Sequence, residues 1–403
     1  MRTRLILAAG ACFAIIPSAK AMDFTLDAYA DFRILAPSGE VGWIDGGLGK
    51  FRFGADQPSP NVRFVEAVAQ ATLAVTDDLH VVSVVRVEPE QRTGIDVLEA
   101  YATWRPESSN DWRWSVKAGA FFPTVSVEND DLGWTSPYTL TPSAINSWIG
   151  DELRTIGGEG TLARQTRVGT LSAVAAIFCC NEPAGTLIAD RGWTLDDRPT
   201  ALFERVRLPD ATVNLFGGTA PGRTGLFQNI DGDIGWYAGL RWDIPDLGQL
   251  AVLRYDNRAN PFAYTTRDAA WLTRFWSGSL KTRIWGATLL LQALTGDTSI
   301  GDEEGDLFHT YFDSAFALVS YDIGDWRMSG RAETFETRNV PSFTLFDEDG
   351  RAFTAALLWN ARDWLRLSAE LINIDSRRTE RLLVGSPAER SETQFQFGAR
   401  VLL

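Results

Sequence analysis

Apolar and polar residues alternate along most of the chain. From Asp23 to Ile34 the even positions are Phe24, Leu26, Ala28, Ala30, Phe32 and Ile34, and the odd ones are Asp23, Thr25, Asp27, Tyr29, Asp31 and Arg33. The end of the chain repeats the pattern, with Phe395, Phe397, Ala399, Val401 and Leu403 interleaved with Gln394, Gln396, Gly398 and Arg400. A period of two marks a strand with two different faces. Helical periodicity is hard to find, and after Met22 no apolar run reaches the ~20 residues that a spanning helix needs.

The connections between these segments alternate in length. Short polar turns are predicted at 76–78, 106–111, 165–167, 209–210, 245–248, 277–279, 323–325 and 360–363. Long loops are predicted at 36–60, 123–152, 181–200, 219–232, 258–266, 297–307, 338–350 and 376–390, with one short link near 90–94. Counting across them predicts about 18 strands, with 16 not excluded because each boundary carries an error of two to four residues. An even count with short connections at one end and long ones at the other is the pattern of an antiparallel transmembrane β-barrel. Hydrocarbon offers no hydrogen-bond partner, so a spanning sheet must close on itself. A soluble β-sandwich also alternates. Against it, Trp104, Trp112, Trp114, Trp236, Trp242, Trp271, Trp326 and Trp359 fall near strand ends, where an aromatic girdle belongs.

Assigning faces puts Leu98, Ala100, Ala102 and Trp104 outside, against Glu99, Tyr101, Thr103 and Arg105 inside. The same split sets Met328, Gly330 and Ala332 against Arg327, Ser329, Arg331 and Glu333, and Leu365, Leu367 and Ala369 against Arg366, Ser368 and Glu370. A charge at the bilayer midplane costs about 2–4 kcal/mol, so the charged face turns inward and calls for water there. At this strand number the interior is wide enough for an aqueous channel. The competing reading is a lumen sealed by Arg–Glu pairs.

The amino terminus supplies the compartment. Arg2 and Arg4, an apolar stretch from Leu5 to Ile16, and Ala19-Lys20-Ala21 form a signal peptide over 1–21, leaving 22–403 as the barrel. Its removal takes the net charge from −14 to −17 through loss of Arg2, Arg4 and Lys20, which disfavours nucleic acid as a partner. Of three cysteines only Cys179 and Cys180 remain, read as two small apolar side chains at a strand end rather than an adjacent disulfide. Two histidines, His80 and His309, give no metal spacing, and no cofactor is expected. G-x-S-x-G, H-E-x-x-H and phosphate-cradling glycine loops are absent, so an enzyme is not predicted.

The pore-lining candidates are Arg86, Glu99, Arg105, Arg113, Arg241, Arg254, Arg274, Arg327, Arg331, Glu333, Arg366, Glu370 and Arg400, since rows of fixed charge set pore selectivity. Pairing across neighbouring strands is the alternative role for any one of them. The loop at 123–152 contains the constriction candidates Glu128, Asp130, Asp131, Trp134 and Tyr138. Thr141-Pro142 and Gly150 predict a short helix between them. Being apolar as well as acidic, this loop is expected either to fold into the barrel and narrow it or to stay at the external surface, where loops usually lie. Asp231 and Asp233 are weak calcium candidates, because the full calcium-loop pattern is missing and plain acidic turns are commoner.

The segments Asp96 to Trp104, Lys117 to Pro123 and the closing Gln394 to Leu403 strand resemble Gram-negative outer-membrane porins, most nearly the phosphate-selective porin O/P-like group and related alphaproteobacterial porins. The resemblance is loose and runs over the whole mature chain. It implies a water-filled barrel, often trimeric, passing small hydrophilic solutes, with outer-membrane lipid, lipopolysaccharide and the barrel-assembly machinery as partners. Phosphate selectivity is not carried over, because that group relies on lysines and the mature chain has only Lys50, Lys117 and Lys281.

Overall fold

The computed structural model describes residues 23–37, 39–55, 59–215, 222–302, 304–340 and 344–403. The signal peptide expected over 1–21 lies outside the described residues. The strands, in chain order, are β1 (Asp23–Ala36), β2 (Asn61–Ala74), β3 (Leu79–Val87), β4 (Ile95–Trp104), β5 (Trp112–Phe121), β6 (Thr155–Thr166), β7 (Gly169–Cys179), β8 (Val206–Arg207) and β9 (Arg223–Thr224). They continue with β10 (Gly235–Ile244), β11 (Gly248–Asp256), β12 (Leu272–Ile284), β13 (Ala287–Gly301), β14 (Leu307–Ile323), β15 (Trp326–Val340), β16 (Glu348–Arg362), β17 (Leu365–Arg378) and β18 (Glu389–Leu402).

Among the described residues sixteen of these strands form one closed antiparallel barrel, and β8 and β9 form a separate two-stranded ribbon. Closure joins β1 to β18 with Ala30 opposite Val401, Phe32 opposite Ala399 and Ile34 opposite Phe397. No edge is then left without partners, as hydrocarbon requires. The expected period-two split sets the faces: along β15, Trp326, Met328, Gly330 and Ala332 are exposed on the outer wall, while Ser329, Arg331, Glu333 and Phe335 are buried inside. The outer belt is apolar over the middle of the wall and carries aromatic pairs at the short-turn end. Trp326 stacks on Trp359 at 5.0 Å and Trp104 meets Trp114 edge-on at 4.8 Å.

The count of sixteen rather than about 18 has one cause. The stretch 201–218 is expected as two strands about a turn at 209–210; its described residues, 201–215, hold the short ribbon strand β8 and the helix α3 (Asp210–Leu215) instead. The turn expected at 277–279 is also misplaced, since Ser277-Gly278-Ser279 lies in mid-strand of β12. The chain turns at Trp285-Gly286, both at positive φ (50° and 85°), with Ile284 and Ala287 paired across it. That is the two-residue hairpin geometry whose twist matches the strands.

Two local features shift residues from their expected places. A register break between Val84 and Val85, facing Glu99 and Val97, changes the parity of β4. Leu98, expected outside, therefore turns inward and is fully buried against Tyr29, Val68, Val82, Val84 and Ala201. Cys179 and Cys180, expected as free apolar side chains, are joined to each other in a disulfide.

Candidate functional site: the interior of the barrel

Three of the long connections fold into the cylinder. The described residues of 37–60 cross its mouth, Lys50 reaching Glu348 and Arg52 reaching Glu88. Residues 122–154 carry the helix α1 (Ala144–Glu152), and the described residues of 180–234 carry α2 (Thr186–Asp190), the ribbon and α3. The helix expected near Thr141-Pro142 starts two residues later, because Ser143 rather than Thr141 caps it by accepting from the Asn146 N–H. It also runs past Gly150, where the absent side chain makes room for the Trp134 indole; a Cβ there would stand 2.9 Å from the ring.

Against one sector of the wall the inner segments present aromatic surface. Trp148 of α1 packs on Phe275 of β12 at 5.5 Å and Phe312 of β14 at 5.1 Å, with Trp193 edge-on to it at 6.0 Å. Ile145, Ile149, Phe51, Ile188 and Leu195 complete a buried cluster with Phe178, Tyr237 and Tyr255 of β7, β10 and β11. A fully buried side chain of this size contributes roughly 1.5–3 kcal/mol. Close fit is evident at Gly192, where a Cβ would stand 1.8 Å from a Glu348 oxygen of β16.

The other sector, β1–β3 with β15–β18, meets the same segments through charge. Arg331 Nη1 of β15 lies 2.8 Å from Glu128 and donates to the Thr141 carbonyl, while its Nε bonds Glu333 at 2.8 Å. Glu333 in turn accepts from the Ala144 N–H at 2.7 Å, and Glu370 of β17 accepts from the Leu140 N–H at 2.7 Å and the Thr141 N–H at 3.1 Å. A second network joins Arg33 to Asp31 (2.9 Å) and Asp197 (2.5 Å), Arg52 to Asp197 (3.3 Å) and Glu88 (2.6 Å), and Arg198 to Glu88 (2.8 Å). Burial raises the Asp197 carboxyl, but Arg33 and then Arg52 outweigh it and hold the group below its ordinary range. Buried pairs of this kind fix a geometry more than they add net stability, yet removing one partner costs about 3–5 kcal/mol.

The candidate lining residues divide by level. Arg86, Arg331, Glu333, Glu370 and Arg400 point inward and are buried beneath the inner segments. Glu99 also points inward and accepts from the Phe122 N–H at 3.1 Å. Arg113, Arg241, Arg327 and Arg366 point inward at the short-turn end and remain wholly or partly exposed. Three candidates do not line the bore. Arg105 lies in the turn after β4, hydrogen-bonded through its N–H to the Asp78 carbonyl. Arg254 and Arg274 are on the outer wall, Arg254 over the exposed Trp276 ring at 5.5 Å and Arg274 bonded to Asp297 at 2.7 Å. They sit toward the long-loop end of their strands, beyond the apolar belt, where an outward charge meets polar surroundings rather than hydrocarbon.

The constriction candidates form the floor of the filled region. Glu128 is fully buried, and Trp134 stacks on Phe122 at 4.3 Å. Tyr138 lies under the Lys281 and Arg327 cations at 5.6 and 5.4 Å. Asp130 and Asp131 reach down into the exposed part, 2.9 Å from Lys281 and 3.7 Å from Arg366. From the short-turn rim to these two carboxylates the inward side chains, charged ones among them, are wholly or partly accessible to solvent and leave a chamber; above them the lining and the inner segments bury one another. The open bore expected from strand number is thus filled over its long-loop half. The weak calcium candidates serve as loop acceptors, Asp231 taking the N–H groups of Asp233 (2.8 Å) and Asn260 (2.5 Å). No group of three potential metal ligands occurs among the described residues.

Sequence reasoning missed Arg33, Arg52, Asp197 and Arg198, which carry the second network, and Trp148 and Trp193, which anchor the aromatic side. For Trp148 and Trp193 the signal was an apolar, tryptophan-bearing composition within long loops, whereas Arg33, Arg52, Asp197 and Arg198 meet only through closure of the barrel and carry no such signal.

No protein-family model matches the chain, and no curated protein sequence matches it. Solved structures do share its fold. The outer-membrane protein OmpT of Vibrio cholerae, as a loop L8 deletion mutant, aligns with a TM-score of 0.53 over 95% of this chain and 100% of that one at 12% identity. An anion-selective porin from Comamonas acidovorans gives 0.52 over 95% and 100% at 12% identity. The outer-membrane channel DcaP of Acinetobacter baumannii gives 0.53 over 96% and 99% at 9% identity. The chain has the porin fold, a sixteen-stranded barrel of the outer-membrane type.

Proposed function

We propose that the protein is a passive channel in the outer membrane of a Gram-negative bacterium, conducting small polar or ionic solutes when its inner segments yield. In the conformation described here those segments act as a stopper. The observation that carries this reading is the wetted chamber. Arg113, Arg241, Lys281, Arg327 and Arg366 keep ionised side chains partly or wholly in solvent inside a cylinder whose outer wall faces lipid. Rows of fixed charge at a water-filled wall are the means by which pores select ions. The stopper is also seated on one sector through charge, and a charged interface can rehydrate without exposing apolar surface. An anion-selective porin and an outer-membrane protein solved in a trimer form share the fold, which supports the same role and a homotrimer here. Outer-membrane lipid, lipopolysaccharide and the barrel-assembly machinery follow as partners from the location.

A second reading is favoured by the Trp148–Trp193 cluster: a barrel kept shut, with a structural or adhesive role or a catalytic one. Planar bilayers and liposome swelling with sugars, amino acids and phosphate separate the two. Discrete conductance steps and solute-dependent swelling support the channel. Neither, or hydrolysis of ester or peptide substrates, supports the second reading.

A further inference from the structure

The disulfide between Cys179 and Cys180 occupies the junction of wall and stopper. Cys179 is the last residue of β7, and Cys180 begins the segment 180–234 with its backbone in the left-handed region at φ 68°. A residue with a Cβ avoids that region unless something holds it there. A ring closed through the two side chains does so. Both cysteines are partly exposed, so a small reagent can reach them.

What the turn aims is Asn181, a buried side chain on which the stopper is hung. Its Oδ1 accepts from the Arg154 N–H at 3.1 Å and the Tyr255 hydroxyl at 3.0 Å. Its Nδ2 donates to the carbonyls of Glu152 at 2.7 Å and Leu226 at 3.3 Å, and its own carbonyl accepts from Asn257 at 3.1 Å. One residue therefore ties the end of α1, the far side of the 180–234 segment and the wall strand β11. Glu152 extends the tie, because its carboxylate accepts from the N–H groups of Gly185 (3.1 Å) and Leu187 and from the Trp148 indole.

We propose that Cys179–Cys180 is a redox latch on the stopper, which rests on the channel reading above. Closed, it holds the left-handed turn and keeps Asn181 in these hydrogen bonds. A dithiol opens it: the two electrons and two protons of the reagent convert the disulfide to two thiols, and the reagent's own sulfurs become joined. The freed backbone at Cys180 relaxes toward ordinary φ, Asn181 leaves its seat and the 180–234 segment loosens from the wall.

The test uses the intact barrel in detergent micelles and in planar bilayers, before and after treatment with dithiothreitol, with mass measurement of the thiols. Amides of 181–192 exchange about tenfold faster after reduction and recover on reoxidation, because the local opening becomes easier. A C179S/C180S double variant exchanges at the reduced rate without any reagent. Conductance rises with reduction if the stopper closes a channel; faster exchange with unchanged conductance supports the latch and contradicts the channel. Equal exchange in protein shown to carry two thiols overturns the latch, as does a disulfide that dithiothreitol cannot open in the folded barrel.

Discussion

Arg331 Nη1 on β15 stands 2.8 Å from the Glu128 carboxylate, and neither side chain has access to solvent. This pair joins the wall of the barrel to the segment that fills it. An Arg331→Met substitution removes the cation and leaves Glu128 and Glu333 buried without it. The expected cost is about 3–5 kcal/mol. It should appear as a lower unfolding midpoint in micelles together with larger or more frequent conductance steps. A barrel that unfolds earlier while conducting as before would mean that Arg331 supports the wall alone.

The stopper should weaken as pH rises. Burial, reinforced by Asp196 and only partly offset by Arg191, pushes Asp151 up to about 8. Burial pushes Glu152 to about 7 against the opposing N–H donors of Leu187 and Gly185, and burial with Glu380 brings Asp190 to about 7. These carboxyls bind protons more tightly in the folded stopper than in an unfolded chain, whose carboxyls titrate near 4. The contribution of these three groups is therefore fully present below about 4 and is lost as pH rises through about 8, the sign that linkage requires, while Asp197, held low by Arg33 and Arg52, acts in the opposite sense at the acid end. Unfolding midpoints across that range check the slope, and Asp151→Asn should flatten its upper part.

Inside and outside leucines should respond differently to truncation. Leu98 packs within the barrel, so Leu98→Ala leaves a cavity and costs about 2–5 kcal/mol. Leu240 is exposed on the outer wall, where lipid fills the vacated space and only the transfer part is lost. Paired urea titrations compare the two, and the loss at position 98 should be the larger.

Asp130 reaches into the wetted chamber, where it and Lys281 are half- and one-third exposed. Such a pair contributes about 0–1 kcal/mol, so Asp130→Asn should leave the unfolding midpoint nearly unchanged. It removes a negative charge from the floor of the chamber. The reversal potential in a salt gradient should shift toward anion preference.

The barrel was legible in the sequence because hydrocarbon and water act on alternate positions of the same strand. Along β15 that pressure places Met328, Gly330 and Ala332 on one face and Arg331 and Glu333 on the other without ambiguity. The pattern failed where the two-faced environment ends. Arg254 and Arg274 lie beyond the apolar belt, so an outward charge there incurs no hydrocarbon penalty and parity alone misassigned them. One register break reversed Leu98. The contents of the bore were harder still: Ser277-Gly278-Ser279 has turn composition in mid-strand, and the segments around Trp148 and Trp193 pack through partners brought together by closure. Arg52 and Asp197, 145 residues apart and 3.3 Å across, are joined by no spacing that a sequence displays.

The central claim is that a water-filled bore exists and that the inner segments close it. Single-channel recording of the barrel before and after deletion of residues 126–147, with folding verified by heat-modifiable gel mobility, tests this most directly. Low or rare conductance in the intact chain and large steady steps in the deletion variant are predicted. A folded deletion variant whose conductance equals that of the intact chain would contradict the account.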